Sequence, residues 1–187
     1  MASISDIRYH IKSVKQTRQI THAMHLVSAA RMNRALRAIR RNRAYFLRAL
    51  DAIADIRAHT GSLVHPYITH RTAEKVAYIV VAGDRGLSGS YNHDVLALAK
   101  ERVSARDVVH LFTIGSVASA YFARLGMTPD TRFEHIAEES SLESTRRLVD
   151  ILMELYDRRE IDEVRICYTR FINTITREPM YQKLLPI

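Results

Sequence analysis

The sequence predicts an α/β protein in two parts: one long N-terminal helix of the coiled-coil kind, then an α/β sandwich on a mostly parallel sheet. Three observations predict it. Residues 1–60 contain neither glycine nor proline, Gly61 being the first of either. Apolar residues in that stretch recur at spacings of three and four. From Lys75 onward, β-branched runs ending in glycine alternate with helix-like stretches, the order expected of parallel strands covered by helices.

The helix comes first. Ser3 or Ser5 can cap its start, and Asp6 is well placed in the first turn. Ile4, Ile7, Ile11 and Val14 form one heptad series. Leu36, Ile39, Phe46, Leu50 and Ile53 form a second, broken only by Arg43. The two are out of phase by four residues, a stutter, and Ile20, Met24 and Val27 carry the stripe between them. One helix of about 55 residues follows, roughly 80 Å long at 1.5 Å per residue. A domain of this size is only about 30–35 Å across, so the helix is expected to project beyond it. Its narrow apolar stripe needs a partner helix, as in a coiled coil. The alternative is a hairpin near "RRNRAY", where only Asn42 is a turn residue.

Residues 61–74 read as a linker and 75–187 as the α/β domain. "KVAYIVVAG" and "DVVHLFTIG" are strand-like, each followed by a helix-like stretch. "SVASAYFARLG" ends at Gly126, a good residue just past a helix end. "LESTRRLVDILMELYDRREI" places Leu148, Ile151, Leu152 and Leu155 on one helical face. "EVRICYTRFIN" alternates as a strand.

Composition bounds the function classes. Hydrophobic content of 47% supports a real core, and charged content of 26% is ordinary. No apolar run reaches the 18 or so residues of a membrane helix. The N-terminus lacks the apolar core of a signal peptide and reads as mature sequence. Cys167, the single cysteine, sits in a strand-like run and reads as a buried structural thiol. The net charge of +8 is unevenly divided. Residues 1–60 hold 12 Lys and Arg against 3 Asp and Glu, or +9, leaving −1 for the rest. The basic segment therefore calls for an acidic partner: nucleic acid, anionic lipid or an acidic protein surface.

Four motifs invite chemistry. The stretch "GDRGLSGSYN", residues 83–92, resembles a phosphate loop through Gly83, Gly86 and Gly89. No lysine follows the glycines, and their spacing is G-x-x-G-x-x-G rather than G-x-G-x-x-G, so neither nucleotide fingerprint is met. A structural turn, with Asp84 and Arg85 paired locally or with a neighbour, is the plainer reading. "GLSGS" approaches the hydrolase elbow with Ser88 as nucleophile, but Ser90 replaces its last glycine. No spacing favours His110, His135 or Asp130 as partners. His22 and His25 stand three apart without a carboxylate or cysteine to complete a metal site. Arg31, Arg34, Arg37, Arg40, Arg41, Arg43 and Arg48 could grip phosphates, yet they spread around the helix. A nucleic-acid-binding basic helix remains the alternative reading.

"SDIRYHIKSVKQTRQITHAMHLVSAARMNRA" closely resembles the N-terminal helix of the gamma subunit of F-type rotary ATP synthase. "GDRGLSGSYN" resembles that family's turn, and "RFINTITREPMYQKLLPI" the segment ending its α/β domain. The three fall in order and span nearly the whole sequence. The resemblance implies a long helix joined to a Rossmann-like α/β domain. It implies a non-catalytic central shaft that couples ion translocation to ATP synthesis or hydrolysis in the surrounding head. Met24, Val27, Arg31 and Arg34 match the shaft motif and are expected to contact the head. Gly83, Asp84, Arg85, Gly86 and Gly89 are expected to form a structural turn. Expected partners are the alpha and beta subunits of the head, the epsilon subunit and the membrane rotor ring. No nucleic acid, metal, cofactor or membrane span is expected. The implied location is peripheral, on the cytoplasmic side of the bacterial inner membrane. In the family a second long helix follows and pairs with the first. The sequence ends at Ile187 before it, as a fragment or a naturally short form would. Ser88 and Ser90 depart from the family's usual cysteine and glycine.

Overall fold

The computed structural model describes residues 3–59, 65–69, 72, 74–104, 108–135 and 142–187. Linker residues 61–64, 70, 71 and 73 lie outside the described residues. The chain divides into two compact units, Met1–Leu63 and Val64–Ile187.

The first unit is a single helix, α1, Ile4–His59, 56 residues without interruption. Its start is a reciprocal cap. The Ser3 hydroxyl accepts from the Ser5 N–H (3.3 Å), while the Asp6 carboxylate accepts from the Ser3 N–H (3.0 Å). Two otherwise orphaned donors are thus satisfied. Thr17 and Thr21 return their hydroxyls to the carbonyls of Ser13 and Thr17, which removes their competition with the helix ladder. The stripe predicted from the heptads is present and solvent-facing, from Ile4 through Met24 and Val27 to Phe46 and Leu50.

The second unit is a three-layer sandwich. Its elements are β1 (Val76–Val81), α2 (Tyr91–Ser104), β2 (Val108–Ile114), α3 (Ser116–Arg124), α4 (Leu142–Asp157), β3 (Glu163–Phe171) and β4 (Arg177–Leu185). The sheet order is β2-β1-β3-β4, with β1 parallel to β2 and to β3, and β4 antiparallel to β3. Alternation along the buried central strand β1 splits the core. Val76, Tyr78 and Val80 pack with Val95, Leu96, Ala99, Val103 and Phe122 of α2 and α3. Ala77 and Ile79 pack with Leu148, Leu152 and Tyr156 of α4. That is the period-two pattern of a strand covered on both faces.

Cys167 lies fully buried on the α2 side, and burial pushes its thiol up to about 11. The reading as a structural thiol fits this environment, because an apolar core disfavours the thiolate. Among the described residues no helix is long and apolar enough to cross a membrane.

Candidate functional site

Two places merit attention: the exposed face of α1 and the turn after β1.

On α1, Met24, Val27, Arg31 and Arg34 fall within a sector about 80° wide at about 100° per residue. All four are exposed, Met24 at 64% and Val27 at 53%. They form a strip about 15 Å long in which two apolar side chains lead into two guanidinium groups. The arginines from Arg31 to Arg48 are exposed and stand on many sides of the helix. From Ile7 to Leu50 the sequence has no Asp or Glu, against eleven Lys and Arg. These cations therefore have no carboxylate within that stretch to pair with along the helix. His22 and His25 lie exposed in the same region. Among the described residues no group of three or more His, Cys, Asp or Glu is placed to hold a metal.

The turn is organised by a residue the motif reading did not single out. Asn92, in the first turn of α2 and nearly buried, accepts from the Gly83 N–H at 2.8 Å. Its amide donates to the Arg85 carbonyl (3.1 Å) and to the Ser88 hydroxyl (3.3 Å). One side chain thus closes both limbs of the turn. Asp84 faces the other way. Its carboxylate accepts from the Ser116 N–H (3.0 Å), and its carbonyl accepts from the Ser116 hydroxyl (2.8 Å). Asp84 therefore satisfies an orphan donor at the start of α3 and is favoured there by the helix dipole. Arg177 of β4 reaches over the turn to the Ser90 hydroxyl (3.4 Å) and the ring of Tyr91.

The glycines of the turn are not equivalent. Gly89 has φ +62, and Leu87 beside it is also left-handed at φ 61 and fully exposed. At Gly86 an added Cβ would meet nothing within 4 Å. The closest approach belongs to Gly115, outside the motif, at the junction of β2 and α3. The Ala82 carbonyl oxygen lies 2.3 Å from where its Cβ would be.

Hydrolase geometry does not assemble. The Ser88 hydroxyl is engaged by Asn92, Asp130 is forked onto Arg132, and His110 stacks on Phe112. Arg132 also holds the Asp130 carboxyl below its ordinary range. His135 stands 3.9 Å from Asp84 rather than near Ser88. Asn92 was detectable in principle: an asparagine just past a glycine-rich turn is a recurrent backbone bonder. The Asp84–Ser116 and Gly115–Ala82 contacts join residues 32 or more apart, and local pattern carries no signal for them.

If Asn92 closes the turn, Asn92→Ala leaves the Gly83 N–H and Arg85 carbonyl without that partner. A loss of about 2–3 kcal/mol is expected, read from the urea midpoint of the α/β unit. Asn92→Asp keeps the acceptor but not the donor and should fall between the two.

Comparison with known proteins agrees with this architecture. Residues 3–187 match the family model described as ATP synthase. The ATP synthase gamma chain of Alkaliphilus metalliredigens is 38% identical over 184 residues, covering 98% of this chain and 64% of that protein. The sodium ion specific ATP synthase gamma chain of Acetobacterium woodii is 34% identical over 185 residues, covering 99% and 61%. The chain thus spans less than two thirds of the length of these relatives. In a structure of the Tetrahymena thermophila mitochondrial ATP synthase central stalk and c-ring, one chain shares the fold. Its TM-score is 0.58 at 18% identity, over 89% of this chain and 72% of that one. With residues 3–187 matched and relatives of this identity over nearly the whole chain, the chain belongs to the ATP synthase gamma chain family.

Proposed function

We propose that this chain serves as the rotor shaft of an F-type ATP synthase, coupling proton or sodium translocation to ATP synthesis or hydrolysis. The carrying observation is α1: 56 residues without a break, with no acidic residue from Ile7 to Leu50. A shaft must resist bending and twisting, and glycine or proline would soften it. It must also avoid locking to any one neighbour. Cations spread around an exposed helix give screened, weakly directional attraction to acidic surfaces instead of one deep minimum.

In this reading Met24, Val27, Arg31 and Arg34 touch the catalytic head, formed by the alpha and beta subunits. The epsilon subunit and the membrane rotor ring are further partners. The chain itself performs no phosphoryl chemistry. The turn 83–92 is structural, its polar groups committed to Asn92, Ser116 and Arg177. The complex sits against the cytoplasmic face of the bacterial inner membrane, with this chain peripheral.

The test is purification through a tag on this chain from detergent-solubilised membranes. Stoichiometric recovery of the catalytic subunits, stable at about 200 mM salt, is expected. Recovery of nucleic acid instead, lost steeply between about 50 and 200 mM salt, would favour the basic-helix alternative.

A further inference from the structure

Where β3 turns into β4, the α/β unit holds a cavity of about 290 Å³. Its walls come from Tyr91 at the start of α2, from Thr169 and Phe171 at the end of β3, and from the hairpin that leads to Arg177. The hairpin is closed on itself. The Ile172 and Asn173 N–H groups donate to the Thr176 carbonyl, and the Asn173 side-chain oxygen accepts from the Ile175 and Thr176 N–H groups (2.9 and 2.7 Å). The walls are therefore preformed, as in most small-ligand sites.

Two lining groups have unmet bonding capacity. Thr169 lies two residues beyond Cys167 and so faces the same α2 side of the sheet. Its hydroxyl oxygen is buried, and among the described residues nothing hydrogen-bonds it. Opposite it stands Pro179, which has neither an N–H nor a polar side chain to offer. A buried hydroxyl in that state has lost its hydration without replacement, which native structures rarely leave unmet. The other group is Arg177, on the same side of β4 as Tyr181 and over the ring of Tyr91 at 6.0 Å. Among the described residues its one hydrogen bond is the long one to the Ser90 hydroxyl (3.4 Å), and it pairs with no carboxylate. The adjacent Glu178 is turned to Arg170 at 2.6 Å. Because Phe171 stands opposite Arg177, Thr169 and Arg177 are diagonal neighbours on the antiparallel pair. Such positions lie about 7–8 Å apart, a gap that an arginine and one bridging anion can close.

We propose that this cavity binds a small organic carboxylate, an acid group carried on an apolar body. One guanidinium and no carboxylate line the cavity, which suits a monoanion, and the planar fork of arginine matches a carboxylate in two parallel bonds. The Thr169 hydroxyl donates to the same group. The cavity has room for about nine waters at about 30 Å³ each, more than a bare carboxylate fills. Tyr91, Phe171 and Ile175 wall the remainder with apolar surface. The site does not depend on the shaft reading.

The test titrates benzoate into the isotopically labelled whole chain at fixed ionic strength and follows the amide resonances. Saturable shifts confined to Tyr91 and residues 169–177 are expected, with an affinity on the order of millimolar. Benzyl alcohol, the same ring without the charge, should bind at least about tenfold more weakly, and inorganic phosphate should also bind more weakly than benzoate. Arg177→Gln should weaken benzoate by about tenfold or more, and Thr169→Val by about threefold. Unshifted α4 amides show that each variant is folded. No saturable shift, equal affinity in Arg177→Gln, or phosphate matching benzoate would overturn the site. Undiminished binding in Thr169→Val would mean that the hydroxyl meets water only, and would remove it from the site.

Discussion

Gly115→Ala should destabilise the α/β unit by about 4 kcal/mol, a large part of the 5–15 kcal/mol that holds most domains folded. Two effects add. The residue sits at φ 96, where an L side chain is strained by about 1–3 kcal/mol. Its Cβ would also lie 2.3 Å from the Ala82 oxygen, 2.8 Å from the Ala82 carbonyl carbon and 2.9 Å from the Gly83 oxygen. Those are backbone atoms at the end of the central strand, and relieving the overlap means moving β1 or α3, about 1–3 kcal/mol more. The expected midpoint drop on heating is on the order of 15 °C. Near-ultraviolet circular dichroism of the buried Tyr78 and Tyr156 follows the transition. Gly86→Ala is the control, since nothing lies within 4 Å of its added methyl. That variant should match the unmodified chain or gain up to about 1 kcal/mol through a stiffer unfolded state. Equal stability for the two variants would mean that the β2–α3 junction yields easily.

The second large effect is expected at Met24. Residues 20–28 hold no carboxylate, so a lysine at position 24 would find no partner within a turn on its own helix. On the proposed shaft reading, Met24→Lys would instead seek an acidic group on the head that surrounds it, gaining about 1–2 kcal/mol in one orientation. A minimum of that depth slows each rotational step by about tenfold for every 1.4 kcal/mol. Ion pumping per ATP hydrolysed should therefore fall while assembly stays intact. Met24→Leu keeps an apolar side chain of similar volume and should behave as the original. The comparison is made in membranes carrying each variant within an assembled synthase. Equal coupling for the lysine and leucine variants would remove Met24 from the contact surface.

How much of this was legible depended on the range of the interaction concerned. The long helix was written in its heptads, and its start in Ser3 and Asp6, because caps and stripes are local. Strands β1 and β2 showed as apolar runs, and β3 as an alternation. Strand β4 did not: "REPMYQKLL" carries Arg177, Glu178, Pro179 and Lys183. It survives because it is an edge strand, where a proline without an N–H and solvent-facing charges such as Arg177 and Glu178 are tolerated. Its pairing with β3 runs from Phe171 opposite Arg177 to Val164 opposite Leu185. The turn's glycines were legible as a cluster but not in their separate duties. Leu87 rather than Gly86 takes a left-handed conformation, and Asn92 does the closing. The Tyr67 phenol donates to the Asp157 carboxylate across 90 positions, beyond any periodic pattern.

The buried thiol has a practical consequence. Cys167 is the chain's one cysteine, without solvent exposure and with its thiol raised to about 11. At pH 8 the protonated thiol therefore dominates. A maleimide or spin label would therefore pass over it and react with a cysteine placed at an exposed α1 position, such as Tyr45 at 80% exposure. The native chain is already a quiet background for optical and magnetic reporters, and its helix can be tagged one position at a time without disturbing the core.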